Sequence, residues 1–440
     1  KMRRDHPENH NRLLESLGSA SDHFIANNPK SLAQWEKSSK VLPGGNTRTV
    51  LHYDPFPITI QSGNGTYLES IDGGIYTDFL GEYSAGLYGH SNPKITKALK
   101  KAVDAGLSFG APNQWESLLA EAICKRFDSI KKVRFTNSGT EANLMALGAA
   151  RAYTSREKII IFEGGYHGGV LYFKKEPSPV NAPYQFISLP YNDTESVVSK
   201  IREHSKNLAA VLIEPMLGSG GCIPAEKDFL KAIRYETEQH NICLIFDEVM
   251  TSRNSSGGLQ KILEIQPDLT TLGKYLGGGA SFGAFGGKSE IMNLWDPTKP
   301  NFLAHAGTFN NNTLSMAAGL TGLTEVFTSE IATDLFNKGE NFKSSLNSIC
   351  ERHSINIQVT GLGSILGIHI GTKKIVRPYA YNEHDLNRLK LIHLEMANKG
   401  FLFAQRGYMT LNIAMVEKDT NEFLSAFEEV VTSHKEIFLM

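Results

Sequence analysis

The chain has 440 residues, of which 41% are hydrophobic and 21% charged, and its formal net charge is −1 at pH 7. It has neither a long basic run nor an apolar run of about 20 residues, so we expect neither nucleic acid nor a membrane as a partner. The four cysteines lack the paired spacing of a metal site, and the first residues lack the apolar segment of a signal peptide. We therefore expect a cytoplasmic enzyme with reduced cysteines, no metal site and more than one domain.

The first 90 residues are predicted to form an N-terminal segment that belongs to a smaller domain. Residues 1–10 are polar and are expected to be mobile, and helical patterns follow at about 12–27 and 30–40. Alternating runs separated by glycines between residues 57 and 79 predict a small antiparallel sheet.

Two residues of this segment are candidate substrate contacts. Arg48 lies in a loop rich in turn-forming residues, where it is either a solvated charge or a planar fork for a carboxylate. Tyr83 lies among small residues, where it is either part of a ligand wall or an ordinary packing residue.

Residues 91–327 are predicted to form a large domain in which helices alternate with short apolar strands. This alternation predicts an α/β fold with a mostly parallel central sheet that is covered by helices on both faces. Residues 328–440 contain helical patterns followed by alternating runs, which predict a smaller α+β domain. The strand candidates of the large domain are Val133–Thr136, Lys158–Phe162, Ala209–Glu214, Ile242–Asp247 and Leu269–Lys274.

Lys274 follows a β-prone run and precedes a stretch rich in glycine. Glycine allows the backbone to approach a flat ligand, and a lysine shielded from water can lose its proton and attack a carbonyl carbon. A surface lysine beside a flexible loop is the ordinary alternative. Asp247 favours the first interpretation, because it ends an apolar strand pattern, where open α/β sheets bind ligands. Such a lysine and such an aspartate are the two groups that pyridoxal 5'-phosphate needs, so the sequence predicts an enzyme of this cofactor.

A candidate phosphate site follows the first of these strands. Ser138, Gly139 and Thr140 connect the strand to a helical pattern. The free N–H groups and the dipole at a helix N-terminus bind anions, and hydroxyl groups add donors. An ordinary helix N-cap explains the same three residues equally well.

Further candidates lie in the loops that follow neighbouring strands. Tyr166, in a glycine-rich loop, is expected to stack on a planar cofactor, with His167 beside it. Glu214 is expected to form a hydrogen bond near the cofactor ring or to orient a neighbour, with helix capping as the alternative. Thr308 is a candidate phosphate donor.

The chain resembles the class III aminotransferases of pyridoxal-phosphate fold type I, in the branch of glutamate-1-semialdehyde aminomutase and the β-amino-acid aminotransferases. The resemblance extends from Pro43 to the C-terminus and is carried by residues 137–143, 164–168, 247–249 and 271–274. It implies a homodimer with shared active sites and a smaller domain that both termini build.

The resemblance also implies the roles of individual residues. Lys274 would bind the cofactor covalently and Asp247 would bind its pyridine nitrogen. Residues 138–140 would hold the phosphate with Tyr166 over the ring, and Thr308 would reach the phosphate of the neighbouring subunit.

Two arginines bear on the reaction that the resemblance implies. Arg48 would hold the carboxylate of a β-amino acid, and Arg406 would hold the α-carboxylate of a 2-oxo acid. An aminomutase shares only the first arginine, so we expect amino transfer from a β-amino acid, such as (S)-β-phenylalanine, to 2-oxoglutarate or pyruvate. An aminomutase, an ω-aminotransferase of other amines and a non-catalytic cofactor-binding protein are the alternatives.

Overall fold

The computed structural model describes residues 7–439 and contains a seven-stranded central sheet together with smaller sheets. The strands are β1 (Ile60–Asn64), β2 (Tyr67–Ser70), β3 (Ile75–Asp78), β4 (Lys132–Thr136), β5 (Lys158–Phe162), β6 (Gln185–Leu189), β7 (Leu208–Ile213), β8 (Met216–Leu217), β9 (Ile223–Pro224), β10 (Cys243–Asp247), β11 (Leu269–Gly273), β12 (Gly283–Gly287), β13 (Ile357–Leu362), β14 (Ile365–Ile370), β15 (Phe401–Leu402) and β16 (Tyr408–Thr410). The helices are α1 (Pro7–Asn27), α2 (Pro29–Ser38), α3 (Pro93–Ala105), α4 (Gln114–Arg126), α5 (Gly139–Thr154), α6 (Thr194–His204), α7 (Lys227–Gln239), α8 (Gly258–Leu263), α9 (Ser289–Met292), α10 (Thr313–Thr321), α11 (Ser329–His353), α12 (Glu383–Asn398), α13 (Glu417–Ser433) and α14 (Lys435–Phe438).

The central sheet has the order β4-β12-β11-β10-β7-β5-β6 and is mostly parallel, as predicted. Strands β6, β5, β7, β10 and β11 run parallel to their neighbours, whereas β12 is antiparallel to both β11 and β4. The strands β7, β10 and β11 are buried along their whole length, which explains their continuous apolar sequences.

Helices cover both faces of this sheet, because successive side chains of a strand point to opposite faces. On β5, Ile160 packs in one cluster with residues of α6 and α7. Its neighbours Ile159 and Ile161 pack on the opposite face against the alanine-rich side of α5. The α/β class of the fold is therefore confirmed.

Both ends of the chain contribute to the smaller part of the molecule. Strand β15, near the C-terminus, pairs in parallel with β3 of the N-terminal antiparallel sheet. Strands β13, β14 and β16 form a separate antiparallel sheet. The prediction that both termini build the smaller domain is confirmed, whereas its boundaries at residues 90 and 327 remain predictions.

The structure differs from the sequence prediction at the N-terminus and in four strands between residues 91 and 327. Residues 7–10 were expected to be mobile but form the first turn of α1, and residues 1–6 lie outside the described part of the chain. Strands β6, β8, β9 and β12 were not predicted.

Strand β12 lies in the glycine-rich stretch that was expected to be a loop, because glycine favours turns over strands. Its glycines are required by close packing. A Cβ atom on Gly283 would lie 2.0 Å from the carbonyl oxygen of Ser138, and one on Gly287 would lie 2.1 Å from that of Asp268.

Among residues 7–439, no helix combines the length and the apolar character that crossing a membrane requires.

Candidate active site

Lys274 and Asp247 lie at the carboxyl ends of two adjacent parallel strands. Asp247 is the last residue of β10 and pairs in register with Thr271 of β11. Lys274 directly follows β11 and has a φ of 54°, in the left-handed region that is rare for a residue with a side chain. The tight turn after β11 thus places the lysine at the edge of the sheet where α/β proteins bind their ligands.

Lys274 is partly buried, and charged side chains surround its amine. Burial lowers its pKa from 10.5 to about 8, and the carboxylate of Glu82 opposes this change. The charges of Arg48, Asp247 and Arg406 also act on the amine. No hydrogen bond or ion pair joins the Nζ atom to another residue of the described chain. At pH 7 a pKa of about 8 leaves roughly a tenth of the amine neutral, far more than in an ordinary lysine, and this amine is available to a ligand.

Asp247 is buried and held from several directions. Its Oδ2 atom lies 2.8 Å from Nδ1 of His167 and 2.9 Å from Nδ2 of Asn143, while its Oδ1 atom accepts the N–H of Val249. Asn143 also accepts a hydrogen bond from the hydroxyl of Thr271 on β11. The carboxylate is therefore fixed in direction by hydrogen bonds to both of its oxygen atoms.

The turn between β4 and α5 presents free N–H groups. The Oγ atom of Ser138 accepts the N–H of Glu141 and donates to its carboxylate, so this hydroxyl caps the helix. The N–H groups of Gly139 and Thr140 have no acceptor among residues 7–439. A helix N-terminus of this kind binds a phosphate through its N–H groups and its dipole.

The glycine-rich loop after β5 packs against this turn. The N–H of Gly169 donates to the hydroxyl of Thr140, and a Cβ atom on Gly168 would lie 2.1 Å from that hydroxyl oxygen. The Oε1 atom of Glu214 accepts the N–H of Tyr166, so this carboxylate orients the loop. Burial raises the pKa of Glu214.

Tyr166 is partly buried at the same site as the charged residues. Burial raises the pKa of its hydroxyl, which also lies within the field of Arg48, Asp247 and Arg406. Its ring meets Tyr172 edge to face, at 5.2 Å between centroids. The stacking of Tyr166 on a cofactor remains a prediction.

Arg48 is paired with a carboxylate of the same chain. Its Nη1 atom lies 2.5 Å from Oε1 of Glu82, and both side chains are about half exposed. The hydroxyl of the adjacent Tyr83 donates to the carbonyl of Val50, two residues beyond Arg48. Residues 48–50 and 82–83 therefore form one side of the site.

Arg406 lies on the neighbouring side and has a different environment. Its guanidinium donates to the hydroxyl of Ser219 at 2.9 Å and lies 5.5 Å from the ring of Tyr83 and 5.8 Å from that of Tyr408. The two tyrosine rings are stacked, with centroids 5.3 Å apart. Within the described residues no carboxylate pairs with Arg406, which leaves its fork open to an anionic ligand.

Thr308 does not join these residues through a contact of its own. It is exposed. Asn310 of the same loop accepts a hydrogen bond from Asn137, which precedes the turn of residues 138–140. The other predicted residues share one region. Charges, hydrogen bonds or loop packing link each of them to Lys274, to Asp247 or to the N-terminus of α5, and Tyr83 is linked to Lys274 through Arg48 and Arg406.

Two residues of the site were missed from the sequence. Asn143 lies on α5 and its side chain bonds to Asp247. The one sequence signal for this role is its position about one helical turn after residues 138–140. Glu82 had no sequence signal, because its pairing with Arg48 depends on an unusual backbone with a φ of 49°.

These residues fit pyridoxal phosphate by the chemistry of their groups. The site offers a shielded amine, a fixed buried carboxylate and two free N–H groups at a helix N-terminus. The amine matches the aldehyde of the cofactor, the carboxylate matches its pyridine nitrogen, and the N–H groups match its phosphate.

Known proteins share this architecture over almost the whole chain. The family profile "Aminotransferase class-III" matches residues 50–431. The β-phenylalanine transaminase of Variovorax paradoxus is 45% identical over 97% of this chain and 98% of its own length. The crystal structure of the β-phenylalanine aminotransferase of V. paradoxus has a TM-score of 0.95, with 43% identity over 97% of this chain and 99% of that one.

Aminomutases are more distant relatives. The glutamate-1-semialdehyde 2,1-aminomutase of Thermodesulfovibrio yellowstonii is 34% identical over 90% of this chain and 97% of its own length. The chain belongs to the class III aminotransferases, which are pyridoxal-phosphate-dependent enzymes of fold type I.

Proposed function

We propose that this enzyme transfers the amino group of an aromatic β-amino acid, such as (S)-β-phenylalanine, to 2-oxoglutarate or pyruvate. The observation that carries the proposal is the presence of two arginines, Arg48 and Arg406, whose charges both act on the amine of Lys274. Each partner of the reaction carries a carboxylate, and an arginine binds a carboxylate through two parallel hydrogen bonds. The similarity to a β-phenylalanine transaminase supports the same substrate class.

The residues that would hold the cofactor follow from the geometry of the site. We propose that the N–H groups of Gly139 and Thr140 bind its phosphate, with Ser138 shaping the turn by capping α5. Tyr166 would cover the ring, and Glu214 would keep the loop of Tyr166 in place.

Asp247 would hold a proton at the pyridine nitrogen. Its carboxylate keeps a fixed direction because His167 and Asn143 both contact Oδ2. Pyridoxal phosphate, when bound, supplies an aldehyde for the amine of the substrate and a ring that accepts electrons from the adjacent carbon.

Lys274 would be the general base of the reaction. The free Nζ atom would remove the proton from the amine-bearing carbon of the substrate and would later return a proton. A pKa of about 8 suits this role, since the amine can both accept and release a proton near neutral pH. The shielding that lowers the pKa also excludes water from the proton transfer.

The two arginines would bind the two substrates in turn. Arg48 would orient the carboxylate of the β-amino acid after that carboxylate displaces Glu82 from the guanidinium. Arg406 would orient the α-carboxylate of the 2-oxo acid, supported by Ser219 and by the rings of Tyr83 and Tyr408. Orientation by remote groups of this kind contributes directly to the rate.

We also propose that the active unit is a homodimer in which Thr308 donates to the phosphate in the neighbouring subunit. Thr308 is exposed. Two apolar side chains nearby are also exposed: Phe309 in the same loop, and Leu107, whose carbonyl accepts the N–H of Thr313. A second copy of the chain would cover these apolar groups. Thr308→Val should weaken cofactor binding without unfolding the subunit, as measured by cofactor titration and by light scattering of the dimer.

The proposed activity is tested by one screen of purified holoenzyme. The (S)- and (R)-enantiomers of β-phenylalanine are offered with 2-oxoglutarate, with pyruvate or with no acceptor, and the new amino acid is measured. We expect turnover with the (S)-enantiomer only when an acceptor is present. Turnover of a single amino aldehyde or amino acid without any acceptor would show an aminomutase instead.

A further inference from the structure

Arg253 is one of the largest fully buried side chains of the protein and lies outside the groups discussed above. It follows β10 in a short polar run and is only 1% exposed. No carboxylate pairs with it among residues 7–439. A buried guanidinium without an acid is costly, because removing a charge from water costs several kcal/mol.

The hydrogen bonds of Arg253 go to the main chain of two distant segments. Its Nη1 atom donates to the carbonyl of Ser84 at 3.4 Å, and its Nη2 atom donates to the carbonyl of Leu411, while Nε has no partner among the described residues. Burial lowers its pKa to about 10, so the guanidinium remains charged at neutral pH. The buried charge is therefore directed at two carbonyl groups.

The first of these segments has a strained backbone. Glu82, Tyr83 and Ser84 have φ angles of 49°, 52° and 79°, and none of them is glycine. Such conformations are unfavourable for residues with a side chain and persist only where the surroundings enforce them. This strained turn orients Glu82 toward Arg48 and stacks Tyr83 on Tyr408.

The second segment adjoins β16, whose Tyr408 stacks on Tyr83 of the strained turn. Leu411 follows β16, which contains Tyr408, and Thr410 of β16 bonds to the chain before the strained turn through its N–H to Phe79 and its hydroxyl to Leu80. These two bonds fix the entrance of the turn. Arg253 connects the end of the turn, at Ser84, to Leu411, the residue directly after the same strand.

We propose that Arg253 is a positioning residue that holds the strained turn of residues 82–84 against β16, and thereby sets the positions of Arg48 and Arg406 for the two substrate carboxylates. The inference rests on the proposed function, in which these two arginines bind the substrates. Arg253 contacts neither arginine and acts through Glu82, Tyr83 and Tyr408.

Arg253→Gln removes the charge and the fork, and Arg253→Lys keeps the charge but offers one point of attachment. The half-reaction of each holoenzyme with (S)-β-phenylalanine is followed by stopped flow at the absorbance band of the cofactor. For Arg253→Gln we expect the apparent dissociation constant of (S)-β-phenylalanine to rise about tenfold or more. The maximal rate of the half-reaction should stay within about threefold, because the substitution disturbs the position of the groups that bind the substrate and not those that react. The starting absorbance band should be unchanged.

Arg126 offers a matched control. It is a largely buried arginine that donates to two main-chain carbonyls, those of Leu323 and Phe327, and it also lacks a carboxylate partner among the described residues. Arg126→Gln should lower the melting temperature but leave the apparent dissociation constant within about twofold. A loss of general packing would affect both variants alike.

A double variant distinguishes the loss of positioning from a general loss of structure. In Arg48→Ala enzyme the donor carboxylate has already lost its partner, so adding Arg253→Gln should raise the dissociation constant by less than about threefold. An equal rise in both backgrounds, an unchanged constant in Arg253→Gln, or the same rise in Arg126→Gln would overturn the inference. Should Arg253→Gln fail to fold, Arg253→Lys is tested by the same criteria. A wild-type enzyme that shows no half-reaction with (S)-β-phenylalanine would instead contradict the proposed function.

Discussion

The guanidinium of Arg48 is bound by the carboxylate of Glu82 at 2.5 Å from Nη1 to Oε1, within the site itself. Both groups are about half exposed, and ion pairs of this exposure contribute only about 0.2–1 kcal/mol. A substrate carboxylate can therefore replace Glu82 at small cost. Under the proposed function, the pair would keep the arginine in place between turnovers without blocking it.

Weakening the ion pair between Arg48 and Glu82 should strengthen binding of the β-amino acid. Glu82→Gln removes the competing charge but keeps a hydrogen-bond acceptor of the same size, so we expect the KM for the β-amino acid to fall about two- to fivefold. Steady-state kinetics with a fixed acceptor measure this change, and Arg48→Ala, which should raise the same KM, is the control. A large rise in KM for Glu82→Gln would show that Glu82 supports Arg48 more than it competes for it.

Arg406 should act mainly on the acceptor. Arg406→Ala removes a charged hydrogen-bonding group worth about 1.5–3 kcal/mol, so the KM for 2-oxoglutarate should rise about 10- to 150-fold. The apparent dissociation constant of the β-amino acid, measured in the first half-reaction alone, should change far less. Equal losses for both substrates would contradict the two-arginine scheme.

Asn143 should matter for cofactor affinity although it was not identified from the sequence. Its Nδ2 atom donates to the carboxylate of Asp247 and its Oδ1 atom accepts from Thr271, so Asn143→Ala frees the carboxylate to turn. We expect cofactor affinity to fall about tenfold or more in fluorescence titrations. Asn143 makes a third hydrogen bond, to the carbonyl of His167. Asn347→Ala is the control, since the side chain of Asn347 makes two hydrogen bonds, both to the main chain of Val359 and outside the candidate site. Equal affinities in the two variants would exclude this role for Asn143.

Loading of the cofactor onto apoenzyme should depend on pH through Lys274. Burial lowers its pKa to about 8, and only the neutral amine attacks the aldehyde. The rate of loading at low cofactor concentration should therefore rise with pH and level off above about 8. The carboxylate of Glu82 raises this pKa, so the midpoint should shift to lower pH in Glu82→Gln. A rate that keeps rising to pH 10 would indicate an ordinary exposed lysine.

Much of the catalytic centre follows from local sequence because it lies at the ends of buried strands. Long apolar runs mark β7, β10 and β11, and the polar residue that ends such a run is found at the ligand edge of the sheet. Asp247 and Lys274 were located in this way. The turn at Ser138 follows the same rule, since it joins a strand to a helix N-terminus.

The features that the sequence did not reveal depend on contacts between distant segments. Strand β12 was hidden because its glycines satisfy close packing rather than strand propensity. Arg253 lies in a polar run that carries no local signal of burial, and the carbonyl groups of Ser84 and Leu411, which make its burial possible, come from distant segments. The pairing of Glu82 with Arg48 similarly requires a strained turn that no local pattern predicts.

The covalent attachment of the cofactor to Lys274 tests the account most directly. Holoenzyme is treated with sodium borohydride, digested and analysed by mass spectrometry, with Lys274→Ala as the control. We predict that the reduced pyridoxyl phosphate adduct is found on Lys274, and that the absorbance band of the bound cofactor is absent from the Lys274→Ala protein, which has no turnover. An adduct on a different lysine, or full activity of Lys274→Ala, would contradict the account.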